Sequence, residues 1–328
     1  MTGKGFRAES LPHYIQNRYQ VNRYFFMHNE SLPFVSVIIP VFNDSIRLQL
    51  CLDALARQTY PVHLFEVIVV DNNPEKDTEI IRLAAQFNAV RAFYESRRGS
   101  YAARNLGIHQ ARGTVMAFTD SDCIPDPDWI EKGVSSLLKT PDCGLVAGKI
   151  RFFFKNPSDP TAAEIYDSLN LLKQEEYLKE YHFGATANVF TFKAVFAEVG
   201  LFNAQLQSGG DQEWGKRVFA AGFKQVYAED VVISHPARST LRELQKKTAR
   251  VTEGNYYLSG LNSQPLSSFL RDTLREVKPH LRYLLEIFGD NRINGFWTKI
   301  NYYFIYISLR YIRCWKRMEL YFKNHFSY

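Results

Sequence analysis

From residue 35 onward the chain alternates between short apolar runs and longer segments that mix apolar with polar residues. A strand buried on both faces gives a continuous apolar run, whereas a surface helix repeats its apolar positions about every 3.6 residues. The first half therefore predicts βαβ units with a parallel sheet. In order, the segments are VSVIIPV, SIRLQLCLDALARQ, FEVIVVD, DTEIIRLAAQF, VRAFYE, SYAARNLGIHQA and TVMAFTD.

The pattern that follows is less regular but still alternates between helix and strand. A helix, a strand and a long amphipathic helix or helix pair precede a second strand, a helix closed by Gly222 and a last strand. We therefore expect a Rossmann-like α/β fold, in which helices flank a mostly parallel sheet. The segments are PDWIEKGVSSLL, GLVAGKIRFFF, PTAAEIYDSLNLLKQEEYLKEY, ANVFTF, DQEWGKRVFAAG and KQVYAED.

After His235 the character of the chain changes. STLRELQKKTARVTEGNYYL predicts a basic helix, and GFWTKINYYFIYISLRYIRCWKRMELYFK interleaves aromatic residues with Lys and Arg. We expect an N-terminal extension over 1–33, an α/β domain over 34–240 and a helical, basic and aromatic region over 241–328. The boundary between the last two is predicted between about 235 and 265, because boundaries are the weakest part of such predictions.

Composition narrows the class of protein. The chain has 328 residues, of which 46% are hydrophobic, so it can bury a sizeable core. Its net charge of +6 favours anionic partners such as phosphates, nucleic acid or acidic lipid. Four widely spaced cysteines without a C-x-x-C pair predict neither a zinc site nor a disulfide framework, and they fit a reducing cytosol.

Targeting signals are not evident in the sequence. The first residues, MTGKGFRAESLPHYIQNRYQ, lack the apolar centre of a secretory signal. No stretch approaches the roughly 18 uncharged apolar residues of a spanning helix. We therefore expect a cytoplasmic protein that does not cross a bilayer.

The stretch FTDSDCIPDPDW carries the first candidate chemistry. Asp120 and Asp122 flank a single serine at the carboxyl end of the fourth predicted strand, and Asp71 ends the second. Open parallel sheets bind ligands outside the carboxyl ends of their strands. Paired carboxylates there can hold Mg²⁺ or Mn²⁺ and leave positions for diphosphate oxygens. The alternative is a solvated turn, because Asp, Asn and Pro favour turns for their own reasons.

Six segments in order give a specific resemblance. They are VSVIIPVFND, VIVVDNN, RRGSYAARNLGI, AFTDSDC, ANVFTFKAVFAEVGLF and GGDQEWGKR, spread over roughly 185 residues. Together they resemble the family 2 inverting glycosyltransferases, which have the A-type nucleotide-sugar fold. The resemblance covers the first 240 residues and implies metal-dependent transfer of a sugar from a nucleotide diphosphate donor to a hydroxyl acceptor.

The resemblance also implies roles for particular residues. It assigns the start of the loop after the first strand to the nucleotide pocket and Asp71 to the base or ribose. It places Gly99, Arg104 and Asn105 beside the nucleotide-sugar, Asp122 at the metal, and Asp120 at the ribose or the metal. The residues for the donor are Pro40, Val41, Asn43, Asp71, Gly99, Arg104, Asn105, Asp120, Ser121 and Asp122, and those for Mn²⁺ or Mg²⁺ are Asp120, Asp122 and His235.

The segment GGDQEWGKR supplies a candidate base. Inverting transfer needs a group that takes the proton of the acceptor hydroxyl, and Asp211 occupies the place of the family's catalytic acidic residue. The alternative is that Asp211 only caps the following helix. Gly210 departs from the family, many of whose members carry Glu there. We expect the acceptor near Asn188, Glu213 and Trp214, although Trp214 fits a core position equally well and Glu213 could pair with Arg217.

The basic and aromatic residues after His235 leave alternatives open. Arg238 and the cluster from Arg242 to Lys247 could hold phosphate or lie solvated on a helix face. The aromatic C-terminal segment could seat a helix in an anionic membrane, and so bring a lipid-linked acceptor to the site, or pack back onto the domain. No RNA-binding signature accompanies it, so we expect no nucleic acid partner.

The sequence thus predicts an inverting glycosyltransferase of cell-surface polysaccharide or glycoconjugate synthesis, with a glycan or lipid-linked acceptor. A rival hypothesis is a catalytically silent member that serves as a membrane-associated binding scaffold, which the Gly210 departure favours. A sugar nucleotidyltransferase is disfavoured, because VIIPVFNDS contains neither the glycine nor the lysine of a triphosphate-binding loop.

Overall fold

The computed structural model describes residues 32–73, 75, 78–276, 278 and 281–326. The predicted N-terminal extension therefore lies almost entirely outside the described residues. The strands are β1 Val35–Val41, β2 Phe65–Asp71, β3 Val90–Tyr94, β4 Val115–Thr119, β5 Ile124–Pro125, β6 Cys143–Phe153, β7 Asn188–Phe192 and β8 Lys224–Pro236.

Helices flank the sheet and then form the C-terminal part of the chain. Those of the α/β part are α1 Ser45–Leu55, α2 Thr78–Ala84, α3 Ser100–Gln110, α4 Trp129–Lys139, α5 Ala162–Asn170, α6 Gln174–Tyr181, α7 Lys193–Val199 and α8 Gly210–Ala220. The later ones are α9 Leu241–Leu258, α10 Leu266–Arg275, α11 Leu281–Gly289 and α12 Phe296–Phe326.

The described strands form one sheet in the order β3-β2-β1-β4-β7-β6-β8-β5. The pairs β1–β2, β1–β4, β2–β3 and β6–β8 are parallel, whereas β7 runs antiparallel to both β4 and β6. The short β5 pairs antiparallel with β8. The predicted α/β fold with a mostly parallel sheet and C-terminal helices is confirmed.

The central strands form where the apolar runs predicted them. Every residue of β1, β2 and β4 is buried, which is the pattern of strands covered by helices on both faces. The β1–β2 register sets Val41 opposite Asp71. The last residue of β1, the last of β2 and the loop after β4 therefore share one edge of the sheet, as the sequence predicts.

Strand β8 is longer than predicted. We expected it to end near Asp230, but it continues to Pro236 beside β6. The pairing passes from Gly148–Ala228 to Lys149–Val232, so residues 229–231 form a bulge. Its two polar residues, Glu229 and Asp230, led to the prediction that the strand ends there. His235 consequently lies within a strand, held by its ladder, and not in the turn after it.

The sequence predicts a long helix or a helix pair over 160–181, and the structure has the pair, α5 and α6. The chain breaks between them at Leu172, which has φ 55°, a left-handed conformation that a helix interior does not contain. Leu171 and Leu172 face the cavity described below. The break thus turns a stretch of apparent helix into part of a binding surface.

The C-terminal helices have small cores of their own. Helix α12 packs against α9 and α5 through one cluster, and a second, separate cluster joins α10 to the end of α12. The first cluster takes residues from both sides of the boundary predicted near 235–265, so the division into domains stays a prediction. Its buried members are Ala163, Ile165, Tyr166, Leu244, Ile287, Ile293, Tyr302, Ile305 and Leu309.

The aromatic residues of α12 divide into two sets. Tyr302 packs inward and its hydroxyl accepts a hydrogen bond from Asn170 Nδ2 at 2.6 Å. Trp297 and Trp315 are 75% and 70% exposed and belong to an exposed set that falls within a stripe about 60° wide at 100° per residue. We call this set the aromatic stripe: Trp297, Phe304, Tyr311, Trp315, Phe322 and Phe326. None of the helices in the described ranges has the length and apolar character needed to cross a membrane.

Candidate active site

A cavity of about 760 Å³ opens at the carboxyl edge of β1, β2 and β4. Its volume is in the range that binds small molecules and cofactors. The sheet edge and the start of α3 form one wall, the segments before α8 and around α6 form a second, and β8 with α9 forms a third. Lining residues from these walls include Val41, Asn72, Gly99, Asp120, Asp122, Asp211, His235 and Lys247.

In the third wall, His235 lies close to Asp120, Ser121 and Asp122, which we call the DSD segment. His235 is buried, and its Nδ1 lies 2.7 Å from the carbonyl oxygen of Pro236. Because a carbonyl can only accept, Nδ1 carries a proton, and Nε2 faces Asp122 Oδ1 at 3.8 Å. A histidine whose Nδ1–H is held by a backbone carbonyl is a usual arrangement for a metal-binding histidine.

The donor atoms near His235 fit a divalent cation. Within the described residues, possible ligand atoms of Asp122, Cys123 and His235 lie within 4.8 Å of one another. Burial, together with the charges of Asp122 and Asp120, raises the pKa of the Cys123 thiol, which keeps it protonated and unsuited to Mn²⁺ or Mg²⁺. Asp122 and His235 offer the oxygen and nitrogen that Mn²⁺ accepts.

Asp120 is oriented differently from Asp122. Its Oδ1 accepts a hydrogen bond from Arg104 Nη2 at 2.5 Å, and the Arg104 side chain is only 4% exposed. Such a charge-assisted bond fixes one oxygen of Asp120 and leaves the other for a ligand. Asp122 instead has Arg47 Nη1 at 3.7 Å, on a side chain that is mostly exposed. Each carboxylate therefore faces its own guanidinium group, and this reduces the repulsion between them.

Helix α3 links the DSD segment to Asp211. Tyr101 and Arg104 are three residues apart and lie on the same helix face. The guanidinium carbon of Arg104 lies 5.6 Å from the centre of the Tyr101 ring, and the Tyr101 hydroxyl donates to Asp211 Oδ1 at 3.0 Å. A chain of contacts thus runs from Asp120 through Arg104 and Tyr101 to Asp211.

Asp211 is held as an acceptor within the cavity wall. Besides the Tyr101 bond, its Oδ1 accepts the backbone N–H of Gln212 at 3.0 Å. Burial raises the pKa of Asp211 above 3.8, and the Tyr101 hydrogen bond and the Arg104 charge only partly oppose that rise. A carboxylate with a raised pKa is a better proton acceptor near neutral pH. The N-cap of α8 is Gly209, so N-capping does not explain Asp211.

Gly210 has a steric explanation in Tyr101. A Cβ added at Gly210 would lie 2.8 Å from both Cδ2 and Cε2 of the Tyr101 ring. Since real Cβ atoms do not approach other atoms so closely, any larger residue at 210 requires Tyr101 to move. Tyr101 thus fills the space that an acidic side chain would need, and its hydroxyl binds Asp211 directly.

Some of the residues predicted to bind the nucleotide line the cavity and others do not. Pro40, Val41, Gly99 and Ser121 line it. Asp71 is 2% exposed and accepts the N–H of Asn73 at 2.9 Å, so it lies behind the surface. Asn43, outside the lining, accepts a hydrogen bond from Asn73 Nδ2 at 2.6 Å. These two residues shape the loop and do not face the cavity.

Asn72, which the sequence did not single out, takes the lining position beside Asp71. Its side chain donates to the carbonyls of Glu95 and Arg97 and accepts the N–H of Gly99 at 2.6 Å. Gly99 has φ 128°, a conformation that favours glycine. Asn72 therefore fixes the loop that begins α3.

Two predicted polar residues prove to be structural. Asn105 exchanges two hydrogen bonds with the backbone of Phe202, and Asn188 accepts from Trp129 Nε1 at 2.8 Å while donating to the carbonyls of Lys149 and Val231. Neither lines the cavity. The expected contacts of Asn105 with the donor and of Asn188 with the acceptor are corrected: both side chains satisfy buried backbone groups.

The other two predicted acceptor residues also lie elsewhere. Trp214 is 1% exposed, packs on Phe196 and Phe202, and donates to the carbonyl of Gly200. A ring buried in this way cannot receive a sugar, so the predicted platform is corrected to a core residue. Glu213 pairs with Arg217 at 2.7 Å and is absent from the cavity lining. The predicted i, i+4 pair is the role it has.

Several lining residues gave little signal in the sequence. Tyr101 lies on a predicted helix, where its position does not distinguish it from other aromatic residues. Gln207 and Gln212 lie in or next to the loop before α8, and only their nearness to Asp211 could have marked them. The lining residues that were not predicted include Asn72, Tyr101, Gln207, Gln212 and Arg250, whereas Lys247 belongs to the basic cluster that the sequence offers for phosphate.

Comparisons with known proteins identify similar sequences and one similar structure. Residues 36–200, about half of the chain, match the family described as Glycosyl transferase family 2. The glycosyltransferase AglE of Haloferax volcanii is 42% identical over 229 residues, which are 68% of this chain and 73% of that protein.

A second relative and a solved structure are more distant. The Methanococcus voltae protein is the dolichyl N-acetyl-alpha-D-glucosaminyl phosphate 3-beta-D-2,3-diacetamido-2,3-dideoxy-beta-D-glucuronosyltransferase, 25% identical over 226 residues, or 66% of this chain and 70% of that one. The mannosyltransferase PcManGT from Pyrobaculum calidifontis, solved in complex with GDP-Man and Mn²⁺, has a TM-score of 0.60 at 16% identity and covers 95% of each chain. At that identity the likeness shows the fold alone.

Proposed function

Since the chain belongs to glycosyl transferase family 2, we propose that its cavity transfers a sugar from a nucleoside diphosphate donor to a hydroxyl of a glycan or lipid-linked acceptor, with inversion. The observation that carries this proposal is that Asp211 and the Asp122–His235 pair line the same cavity. One end of it thus offers a proton acceptor and the other a cation site, which are the two groups that such a transfer needs.

Asp211 is the proposed base. It takes the proton of the acceptor hydroxyl as that oxygen bonds to the anomeric carbon and the bond to the diphosphate breaks. Tyr101 holds one carboxylate oxygen at 3.0 Å and thereby orients the carboxylate for the incoming hydroxyl. Attack from the face opposite the leaving diphosphate inverts the configuration.

Asp122 and His235 would hold Mn²⁺ or Mg²⁺, with the second oxygen of Asp120 available in support. The chemistry that the cation supplies when bound is positive charge against the developing charge of the diphosphate. Arg104 orients Asp120, and the predicted role of Asp120 beside the ribose is compatible with its free oxygen.

The silent-scaffold hypothesis loses its main support. It rested on Gly210, yet the space of the missing side chain is filled by Tyr101 and the acidic residue next to it is retained. The Methanococcus voltae relative is named for a dolichyl phosphate-linked acceptor, which favours a lipid-linked acceptor for this chain as well. We therefore keep the role in glycoconjugate or polysaccharide synthesis.

We further propose peripheral contact with a membrane through the aromatic stripe of α12, on the cytoplasmic face that the sequence predicts. Six exposed aromatic side chains on one side of a 31-residue helix suit the interface between headgroups and acyl chains. The basic residues contribute less than expected from the sequence. Arg313 and Arg317 pair with Glu276, and Lys316 pairs with Glu253 and Glu319.

Calorimetric titration tests the donor site. GDP, UDP and TDP are each titrated with Mn²⁺ and with EDTA, into the wild type, Asp122→Ala and the control Asp128→Ala, whose carboxylate pairs with Lys132 outside the cavity. We expect metal-dependent binding of one nucleotide to the wild type and the control, lost in Asp122→Ala. Binding that EDTA and Asp122→Ala both leave unchanged would contradict the metal site, and no binding would contradict the donor class.

A further inference from the structure

The third wall of the cavity carries a cluster of basic side chains. Arg238, Lys247 and Arg250 all line the cavity, opposite the sheet edge. Beneath them lies Asp167, whose side chain is fully buried. The Arg238 backbone N–H and Nη1 donate to Asp167 Oδ2 at 2.9 and 3.0 Å, so this one carboxylate is already bound by Arg238.

Lys247 is left without a hydrogen-bond acceptor. Its Nζ is buried and makes no hydrogen bond within the described residues, and the nearest oxygen of Asp167 is 3.9 Å away. Burial and the neighbouring charge of Arg238 lower the pKa of Lys247 to about 7. An amine that is desolvated and unbonded costs free energy, and it is usually retained where a ligand satisfies it.

The cluster has more positive charge than its surroundings balance. Three basic side chains face one carboxylate, and Arg250 makes no ion pair with any residue that the structure describes. The Asp122 charge is near enough to affect Lys247, which puts the cluster within electrostatic reach of the cation site. Ammonium and guanidinium groups gathered around an open volume are suited to phosphate oxygens.

We propose that Arg238, Lys247 and Arg250 form a phosphate-binding subsite on the helical wall of the cavity. This inference rests on the proposed function and names a substrate group for that site. The group is a phosphate, supplied by the diphosphate of the donor or by the phosphate that links a lipid-carried acceptor. The Lys247 amine donates to its oxygens and gains the acceptor it lacks, while Arg238 stays fixed by Asp167.

The helices that carry this subsite pack against the helix that carries the proposed membrane contact. Asp167 lies on α5 and Lys247 on α9, and both helices pack against α12 through one apolar cluster. Gln245 on α9 also donates to Ser308 on α12 at 2.9 Å. The helix that carries the aromatic stripe therefore supports the helices that carry the basic cluster.

The test compares Lys247→Met with Lys246→Met, which removes an exposed lysine one position away that does not line the cavity. In the first arm GDP, UDP and TDP are titrated with Mn²⁺ and without acceptor. In the second arm a short-chain prenyl phosphate, and the prenol of the same length, are titrated without nucleotide. Arg250→Gln, an exposed position that folding does not depend on, is measured in both arms.

We expect Lys247→Met and Arg250→Gln to weaken one of the two phosphate ligands by roughly tenfold or more, as for loss of a charge-assisted hydrogen bond. Loss for a nucleotide identifies the donor diphosphate, and loss for prenyl phosphate but not prenol identifies the acceptor. Affinities equal to those of Lys246→Met in both arms overturn the subsite. If the wild type binds no nucleotide, the proposed donor class fails, while the prenyl phosphate arm still decides the subsite.

Discussion

The sheet region and the C-terminal helices differ in their hydrophobic cores and in the partners of their polar side chains. In the sheet region one continuous core runs from β1 to β8, and the charged residues at its edge face partners, as Arg104 does with Asp120 at 2.5 Å. The helical region has two small cores, an exposed aromatic stripe and a lysine without a hydrogen-bond acceptor. The carboxylates at the sheet edge are thus already oriented by partners within the fold, whereas the helical region leaves the aromatic stripe exposed and the Lys247 amine without an acceptor.

Removal of the proposed base is the strongest test of the sheet region. Asp211→Asn keeps the shape of the side chain and removes the proton acceptor, so kcat should fall by about 10²–10⁴-fold while donor affinity is unchanged. Initial rates and nucleotide titration measure the two quantities. Glu213→Gln, on the same helix but outside the cavity, should retain near wild-type kcat. A small fall for Asp211→Asn would exclude it as the base.

Removing the stripe tests the helical side. Trp297→Ala combined with Trp315→Ala should lower the partition coefficient onto anionic vesicles by roughly tenfold or more, because each large side chain contributes about 1.5–3 kcal/mol when buried. Co-sedimentation measures it. Ile46→Ala with Leu50→Ala removes exposed apolar surface from α1 and should change nothing. Because several basic residues of α12 are internally paired, salt should weaken binding only slightly; a steep salt dependence would assign the contact to charge instead.

The pH dependence of kcat tests how burial and Tyr101 set the pKa of Asp211. Its carboxylate must be deprotonated to act, so kcat should fall about tenfold per pH unit below its pKa. Burial raises that pKa, which places the acidic limb above the ordinary value of 3.8. The Tyr101 hydroxyl lowers the same pKa, so Tyr101→Phe should move the limb to higher pH. A limb that stays in place would show that the hydroxyl does not act on Asp211.

The smallest expected effect concerns packing at Gly210. Gly210→Ala places a methyl group 2.8 Å from the Tyr101 ring, and overpacking of this kind costs about 1–3 kcal/mol. Denaturant unfolding measures the loss. Gly289→Ala is the matched control, since a Cβ there meets nothing within 4 Å. Equal stabilities of the two variants would mean that the Tyr101 ring can move away from the added methyl group without loss of folding free energy.

The parts predicted from the sequence are those that local pattern and topology determine. The runs VSVIIPV and FEVIVVD predict β1 and β2, because a strand buried on both faces consists of consecutive, mostly apolar residues. The parallel order then places the end of β1, the end of β2 and the DSD segment at one edge. The resemblance to a known motif singled out Asp211, which lines the cavity, and its role as the base stays a prediction.

The misplaced residues depend on partners that are distant in the chain. Asn105 binds the backbone of Phe202, 97 positions away, and Asn188 binds Trp129, 59 positions away. A polar residue that satisfies a buried group cannot be told from one that awaits a ligand until the fold is known. Lys247 shows the same limit in the opposite direction. The sequence gives its charge and its place on a helix, but only the fold shows that its amine is buried.

The contact between Gly210 and Tyr101 also constrains how this protein can vary. A larger residue at 210 requires the Tyr101 ring to move. An acidic residue there would therefore disturb the ring whose hydroxyl donates to Asp211. The side chain that position 210 accepts thus depends on the side chain at 101, and we expect substitutions at these two positions to occur together.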